Sequence, residues 1–185
     1  MSEKVHVIHQ GIDRADPAKA PPGQVAPSDL RSIMGRFATG VVVITVGGEH
    51  IHGMTANTFG SVSLDPPLVQ CCIAHTAVMH GALSAAGRFG VSVMGAEQES
   101  VVRYFADRAR PLGEAQFDVV DSSPGPHTGA PLLIGALAWL ECEVVEAHVA
   151  GDHSLFVGRV LSCEPGDDDG ALLFYRGRFH RVVTG

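Results

Sequence analysis

Leu30, Ile33, Met34 and Phe37 recur at the spacing of one helix face, which predicts a short amphipathic helix. Ser28 stands where an N-cap belongs and Gly40 where the element would end. Beyond it the period shortens. Residues 41–46 form a β-branched run, Gly47-Gly48 a hairpin turn and residues 50–55 its return. Residues 58–63 read as a strand, Pro66-Pro67 interrupts, and residues 68–74 make a strongly apolar strand. The Ala-rich stretch 77–86 reads as a helix ended by Gly87, and 89–94 as a strand. Residues 97–106 read as a helix with acidic residues in its first turn, where the helix dipole favours them.

Residues 107–131 read as a loop containing Pro, Gly and Ser. From 137 to 145 the pattern alternates, with Ala138, Leu140, Cys142 and Val144 on one face and Trp139, Glu141, Glu143 and Val145 on the other. That is a half-buried strand. Residues 153–162 continue an antiparallel meander, 167–170 form a solvated turn, and 171–175 with 179–183 close a hairpin around Gly177. No internal repeat is visible. About seven short strands with two or three helices predict a mainly β fold, a small barrel rather than a parallel α/β sheet.

Length and composition narrow the picture. A chain of 185 residues fits one domain and can bury about 70% of its unfolded surface. Residues 1–27, with Pro17, Pro21, Pro22 and Pro27 and no sustained period, read as a flexible or draped arm, leaving 28–185 as the domain. A chain 45% hydrophobic and 18% charged is not a disordered one, and it favours surface hidden by a second copy or a ligand. The net charge of −7, with only 13 scattered Lys and Arg, argues against a nucleic-acid partner. Cys71, Cys72, Cys142 and Cys163 lie in strand-like contexts, and no charged n-region precedes an apolar core, so reduced thiols and a cytoplasmic location are expected. Residues 66–87 carry no Asp, Glu, Lys or Arg, yet their prolines, Gln70, His75, Thr76, His80 and Ser84 make them buried core rather than a membrane span.

Absences prune the chemistry. No two glycines are spaced i, i+2, no Walker loop occurs, and neither a G-x-S-x-G elbow nor an H-E-x-x-H helix is present. His50 and His52 would point to one face of a strand, but two imidazoles do not make a metal site and none is expected. The informative stretch is residues 53–68, whose small hydroxyl and amide side chains beside two glycines leave main-chain polar groups open to a flat heteroaromatic ligand. The same residue types also make ordinary turns and strand edges.

Several ordered motifs weigh against that plainer reading: Gly53-Met54-Thr55-Ala56-Asn57, Ser61-Val62-Ser63, Asp65-Pro66-Pro67-Leu68, Gly87-Arg88-Phe89-Gly90-Val91, Gly151-Asp152-His153 and Arg178-Phe179-His180. Together with the helix and strand that precede them, they make residues 30–183 resemble the flavin reductase-like family, the small NAD(P)H:flavin oxidoreductases that serve two-component monooxygenases. The resemblance implies an FMN-binding split β-barrel of Greek-key type, a homodimer, and a flavin in a groove near the subunit interface. It implies that Met54, Thr55, Ala56, Asn57 and Thr58 face the isoalloxazine ring, and that Ser61, Val62 and Ser63 bond its pyrimidine edge or ribityl chain. Cys72, Ala74, His75 and Thr76, with the start of the next helix, would approach the phosphate, a placement consistent with anion binding at helix N-termini. Ala74 and Ala77 stand where relatives often carry Asn and Ser, which leaves FAD against FMN open. His153, beside Asp152, would touch the nicotinamide or flavin edge as the catalytic residue, and Arg178 with His180 would help bind the pyridine nucleotide. Trp139 and the phenylalanines read as core or dimer contacts. The implied activity is reduction of FAD or FMN by NADH, or less readily NADPH, with the reduced flavin passing to a separate monooxygenase. A flavin-retaining oxidoreductase or monooxygenase, and a non-catalytic flavin- or heme-binding protein, are the alternatives.

Overall fold

In chain order the elements are β1 (Val7–Ile8), α1 (Pro27–Met34), β2 (Thr39–Gly40), β3 (Val42–Val46), β4 (His52–Ala56), β5 (Gly60–Leu64), β6 (Pro67–Ala74), α2 (Val78–Ala86), β7 (Arg88–Val93), α3 (Glu99–Ala106), β8 (Ser122–Pro124), β9 (Pro131–Leu133), β10 (Ala138–Ala150), β11 (His153–Pro165), β12 (Ala171–Tyr175) and β13 (Arg178–Val182). This computed structural model describes residues 7–8, 25–167 and 170–182. The fold is mainly β, as the alternating pattern predicts.

One large sheet runs β4-β3-β7-β10-β11-β6-β5, with β1 alongside β10. The long β10–β11 hairpin is its spine. The first half of β10 pairs with β7, and β1 pairs in parallel with Ala147 and His148 where β10 extends beyond β7. Apart from this pairing, the expected arm at 1–27 lies almost wholly outside the described residues.

Strict alternation in β6 buries Val69, Cys71 and Ile73 against Phe89, Phe156, Met79 and Leu83. A second apolar cluster joins Val41, Val43 and Met94 to Val102 and Phe105 of α3 and to Leu172 of β12. Burying each such side chain contributes about 1.5–3 kcal/mol, so these two clusters hold the sheet and set where the loops above it sit. All four cysteines are free and lie in strands.

Several expected boundaries shift for physical reasons. Ala26, not Ser28, is the N-cap of α1, because Pro27 takes the first helical position, where its fixed φ suits and its missing N–H costs nothing. The helix stops at Gly35 rather than Gly40, and its apolar residues Leu30, Ile33 and Met34 are exposed in this chain. Thr39–Gly40 instead pairs with β12. Gly48–His50 coil into a 3-10 turn, so the return strand begins at His52 and not at residue 50. Residues 58–59 fall outside the strand expected at 58–63, which begins at Gly60. The strand count reaches thirteen among the described residues, because two- and three-residue ladders such as β2, β8 and β9 leave no period in the sequence. Glu141, placed by alternation on the wetter face, is only 2% exposed because residues 122–133 fold over that face. Positions 168 and 169 of the expected 167–170 turn lie outside the described residues.

Candidate active site

Alternation in β4 sends the main-chain groups of His52, Met54 and Ala56 toward β3 and those of Gly53 and Thr55 toward the free edge. An unpaired edge needs partners, and side chains supply them. The Gly53 N–H donates to Gln116 Oε1 at 2.8 Å, and the Gly53 carbonyl oxygen accepts from Arg110 Nη2. Gly53 has no alternative at this position, since a Cβ there would meet the Phe105 ring at 2.5 Å. Thr55 Oγ1 donates to the Val102 carbonyl at 2.7 Å, tying β4 to α3.

A cavity of about 310 Å³ opens at this edge. Met54 and Thr55 form one wall, Thr76, Ala77 and Val78 at the start of α2 a second, and His52, Phe105, Ala106, Arg108, Arg110 and Leu112 the rest. Arg110 is half-buried. Its Nη1 donates to the Asp107 carbonyl at 2.6 Å, Nη2 lies 3.3 Å from His52 Nε2, and its guanidinium sits 5.8 Å from the centre of the Phe105 ring. Burial lowers the Arg110 pKa, against the charges of Tyr104 and Asp107. Burial, reinforced by Arg110, lowers the His52 pKa to about 4, so its imidazole is neutral and free to accept. His50 lies in the preceding turn and His52 inside the fold, so the two do not share a strand face. No group of three metal-ligating side chains occurs among the described residues.

The expected ligand residues beyond β4 lie along β5 and β6. Ala56 packs into the core and Asn57 is exposed. Thr58 Oγ1 bonds to both main-chain groups of Cys72. The β5–β6 register slips between Ser61↔Val69 and Ser63↔Leu68, leaving Val62 as a bulge that is 53% exposed. Bulges of this kind commonly re-aim a strand beside a site. Burial raises the Cys72 pKa, so the thiol stays protonated at neutral pH.

At the far end of β6, Ala74 pairs with His153 across the ladder, and the His75 N–H donates to the Asp152 carbonyl at 3.0 Å. These bonds bring the Gly151-Asp152-His153 turn against the segment that leads into α2. His153 Nδ1 lies 2.7 Å from Asp152 Oδ1, which holds the ring with Nε2 free. The hydrogen bond to His153, followed by its charge, lowers the Asp152 pKa. Behind them the buried Ser154 hydroxyl lies 3.1 Å from His75 Nε2 and 2.9 Å from His80 Nε2. A hydroxyl has one proton to give, so it donates to one imidazole and accepts from the other.

Residues 54, 55 and 76 therefore share one cavity, and residues 72, 74, 75, 152 and 153 share the adjoining strand ends. Arg178 does not join them. It lines a different cavity of about 490 Å³ with Tyr175, Arg176 and His180 at the β12–β13 turn. Sequence reasoning missed Arg110, His52, Gln116, His80 and Ser154 as site-lining or supporting groups. Each acquires its part only through contacts far along the chain, which no local spacing reveals.

Comparison with known proteins is consistent across sequence and structure. The family model described as "Flavin reductase like domain" matches residues 34–183. An NADH-dependent FAD reductase of Streptomyces globisporus is 48% identical over 171 residues, spanning 90% of this chain and 94% of that protein. The crystal structure of BorF, the flavin reductase component of a bacterial two-component tryptophan halogenase, superposes with a TM-score of 0.82 at 50% identity, covering 85% of this chain and 99% of BorF. The Streptomyces globisporus NADH:FAD oxidoreductase SgcE6, solved with NAD and FAD fragments, gives 0.80 at 46% identity, covering 86% of this chain and 96% of that one.

Proposed function

The chain belongs to the flavin reductase-like domain family, and from that premise we propose that it is an NADH-dependent flavin reductase whose reduced FAD or FMN serves a separate flavin-dependent monooxygenase. The observation that carries the reading is the cavity at the β4 edge, where Met54 and Thr55 face the start of α2 across about 310 Å³. Its walls offer the Thr55 and Thr76 hydroxyls and the guanidinium groups of Arg108 and Arg110, polar groups that suit a flat heteroaromatic ring carrying phosphate. A flavin bound there would supply a ring able to take up a hydride from a reduced nicotinamide. The protein's contribution is then to hold the two rings at about 3–3.5 Å, and no general acid or base is needed.

In this reading the β4 edge and the Ser61–Ser63 bulge seat the flavin, and His153, steadied by Asp152, orients the nicotinamide. The strand path closes as a split barrel of Greek-key type, with residues 28–185 as one domain. Two copies pair, covering the exposed apolar residues of α1 together with Phe37, which is 67% exposed. Arg178, remote from the cavity within one chain, acts from the neighbouring copy. The free cysteines fit a reducing, cytoplasmic setting. No helix among the described residues is long and apolar enough to cross a membrane.

Crossing NADH and NADPH with riboflavin, FMN and FAD, and following loss of the reduced nicotinamide absorbance, tests the assignment. Turnover that depends on added flavin and prefers NADH is expected. Flavin that co-purifies and resists dialysis would point instead to a flavin-retaining oxidoreductase, and absence of turnover to a binding protein. Sedimentation of the wild type against Phe37→Glu tests the pairing, with a dimer expected to give way to monomer.

A further inference from the structure

Alternation along β11 sends the His153 side chain to the surface and that of Ser154, only 4% exposed, to the interior. There the Ser154 hydroxyl meets two imidazoles carried by different elements, His75 in the link between β6 and α2 and His80 in α2 itself. The two rings stand edge to face with 5.1 Å between their centres, and His80 packs against Phe156 in the same manner at 5.3 Å. Beyond this trio α2 carries no titratable side chain, and β6 carries only the Cys71 and Cys72 thiols, which burial keeps protonated. The adjoining charged groups are therefore those of the turn, Asp152 and His153.

One hydroxyl proton shared with two imidazoles allows two orders, and they are not equivalent. His75 is exposed and His80 half-buried. Burial first, and the charge of His75 second, lower the pKa of His80. If His80 donated and His75 accepted, protonating the exposed ring would occupy the Nε2 lone pair that the hydroxyl needs, and one bond would be lost. If His75 donates through Nε2–H and Ser154 passes its own proton to the bare Nε2 of His80, a further proton can join His75 at Nδ1 with both bonds intact. Only this order survives either charge on the exposed ring, and it keeps the half-buried ring neutral, as desolvation favours.

We propose that Ser154 is a positioning residue for nicotinamide binding: its hydroxyl accepts from His75 and donates to His80, and this directed pair of bonds locks the Gly151-Asp152-His153 turn to the start of α2. The His75 N–H holds the Asp152 carbonyl at 3.0 Å, and Ala74 pairs with His153 across the ladder. Fixing the His75 ring from behind thus fixes the backbone on which Asp152 and His153 stand. The nicotinamide at His153 rests on the flavin reductase reading, whereas the order of the two bonds stands on the trio alone.

Two arms test it. The first needs no turnover: ring-nitrogen NMR of the full-length protein labelled in histidine, near neutral pH, with the His80 signals identified by their loss in His80→Gln. His80 is expected in its Nδ1–H form with Nε2 bare, and in Ser154→Ala it should shift toward the Nε2–H form that an unheld imidazole favours. A wild-type His80 protonated on Nε2, or a tautomer unchanged by Ser154→Ala, overturns the proposal. The second arm is steady-state kinetics. Ser154→Ala should raise the NADH KM about threefold, with a smaller change in the flavin KM, and Ser154→Thr, which keeps the hydroxyl, should restore it. Because Ser154 acts through the turn, the same substitution placed in His153→Ala should add nothing further. An equal rise in both backgrounds, an equal change in the flavin KM, or no recovery in Ser154→Thr marks a purely structural role and overturns the proposal. Wild-type protein that shows the expected His80 tautomer but reduces no flavin would sink the functional reading and leave the bond order standing.

Discussion

The Thr58 hydroxyl donates to the Cys72 carbonyl oxygen at 2.9 Å and accepts from the Cys72 N–H at 3.2 Å. One side chain thus does the work of a ladder pair where the chain crosses from β4 to β5, and it ties the stretch before the bulge to β6. Its polar atom is already committed to Cys72, which leaves its methyl group and backbone for any ligand seated beside it. Thr58→Val keeps the shape and leaves both Cys72 groups unbonded. A loss of about 1–2 kcal/mol is expected, read as a lowered Tm, while Thr58→Ser should stay near the wild type.

What could be read in advance follows from the range of the forces involved. The alternation of Val69, Cys71 and Ile73, and the left-handed Gly87 that ends α2 at φ 66°, are local consequences of residue type and were legible. The placement of Ala74 opposite His153 was not, because it depends on the β6–β11 register across the sheet. Nor was Arg110. An arginine in a loop reads as solvated until Gly53, His52 and Phe105 are folded around it. Glu141 misled for the same reason, since alternation describes only the two faces of a strand and says nothing of a loop that later covers one of them. The motifs at 53–63 and 151–153 made the family legible through resemblance, whereas spacing alone left them open between a ligand site and ordinary turns.

His153 stands at the first position of β11 with its Nδ1 engaged by Asp152 and both side chains at the surface. A ring so held orients a partner without forming its main binding energy. His153→Ala is expected to lower kcat or raise the NADH KM by about tenfold, with a smaller change in the flavin KM. Steady-state kinetics varying each substrate in turn measure it, and equal changes in both KM values would remove His153 from the nicotinamide side.

Glu141 shows how a carboxylate is kept charged inside the fold. Burial raises its pKa, but the Thr128 hydroxyl, the His127 and Thr128 N–H groups and the Ser162 hydroxyl all donate to it, at 2.7–3.1 Å, and the net shift is downward. A carboxylate whose folded pKa is depressed stabilises the fold above its unfolded pKa, and that contribution fades as pH falls through the folded one. Glu141→Gln should therefore cost about 1–3 kcal/mol at neutral pH. The gap between the two proteins should narrow as the pH is taken below 4.5, the ordinary value of this group. Denaturant unfolding at several pH values gives the curve.

His52 is held the other way, in its neutral form, and its effect on stability lies at higher pH than that of Glu141. Its pKa falls from 6.5 to about 4, through burial first and the charge of Arg110 second. Between these values the unfolded chain binds a proton that the folded chain refuses. Stability is then full above pH 6.5, declines as pH falls toward 4, and changes no further from this group below that. A tenfold change in proton affinity is worth about 1.4 kcal/mol, so the whole decline is on the order of 3 kcal/mol. In His52→Gln, which keeps an acceptor for Arg110 without a titrating ring, the drop in unfolding free energy between neutral pH and about pH 4.5 should be clearly shallower than in the wild type. Parallel declines in the two proteins would mean that His52 titrates freely and that the imidazole beside Arg110 is not held neutral by the cavity.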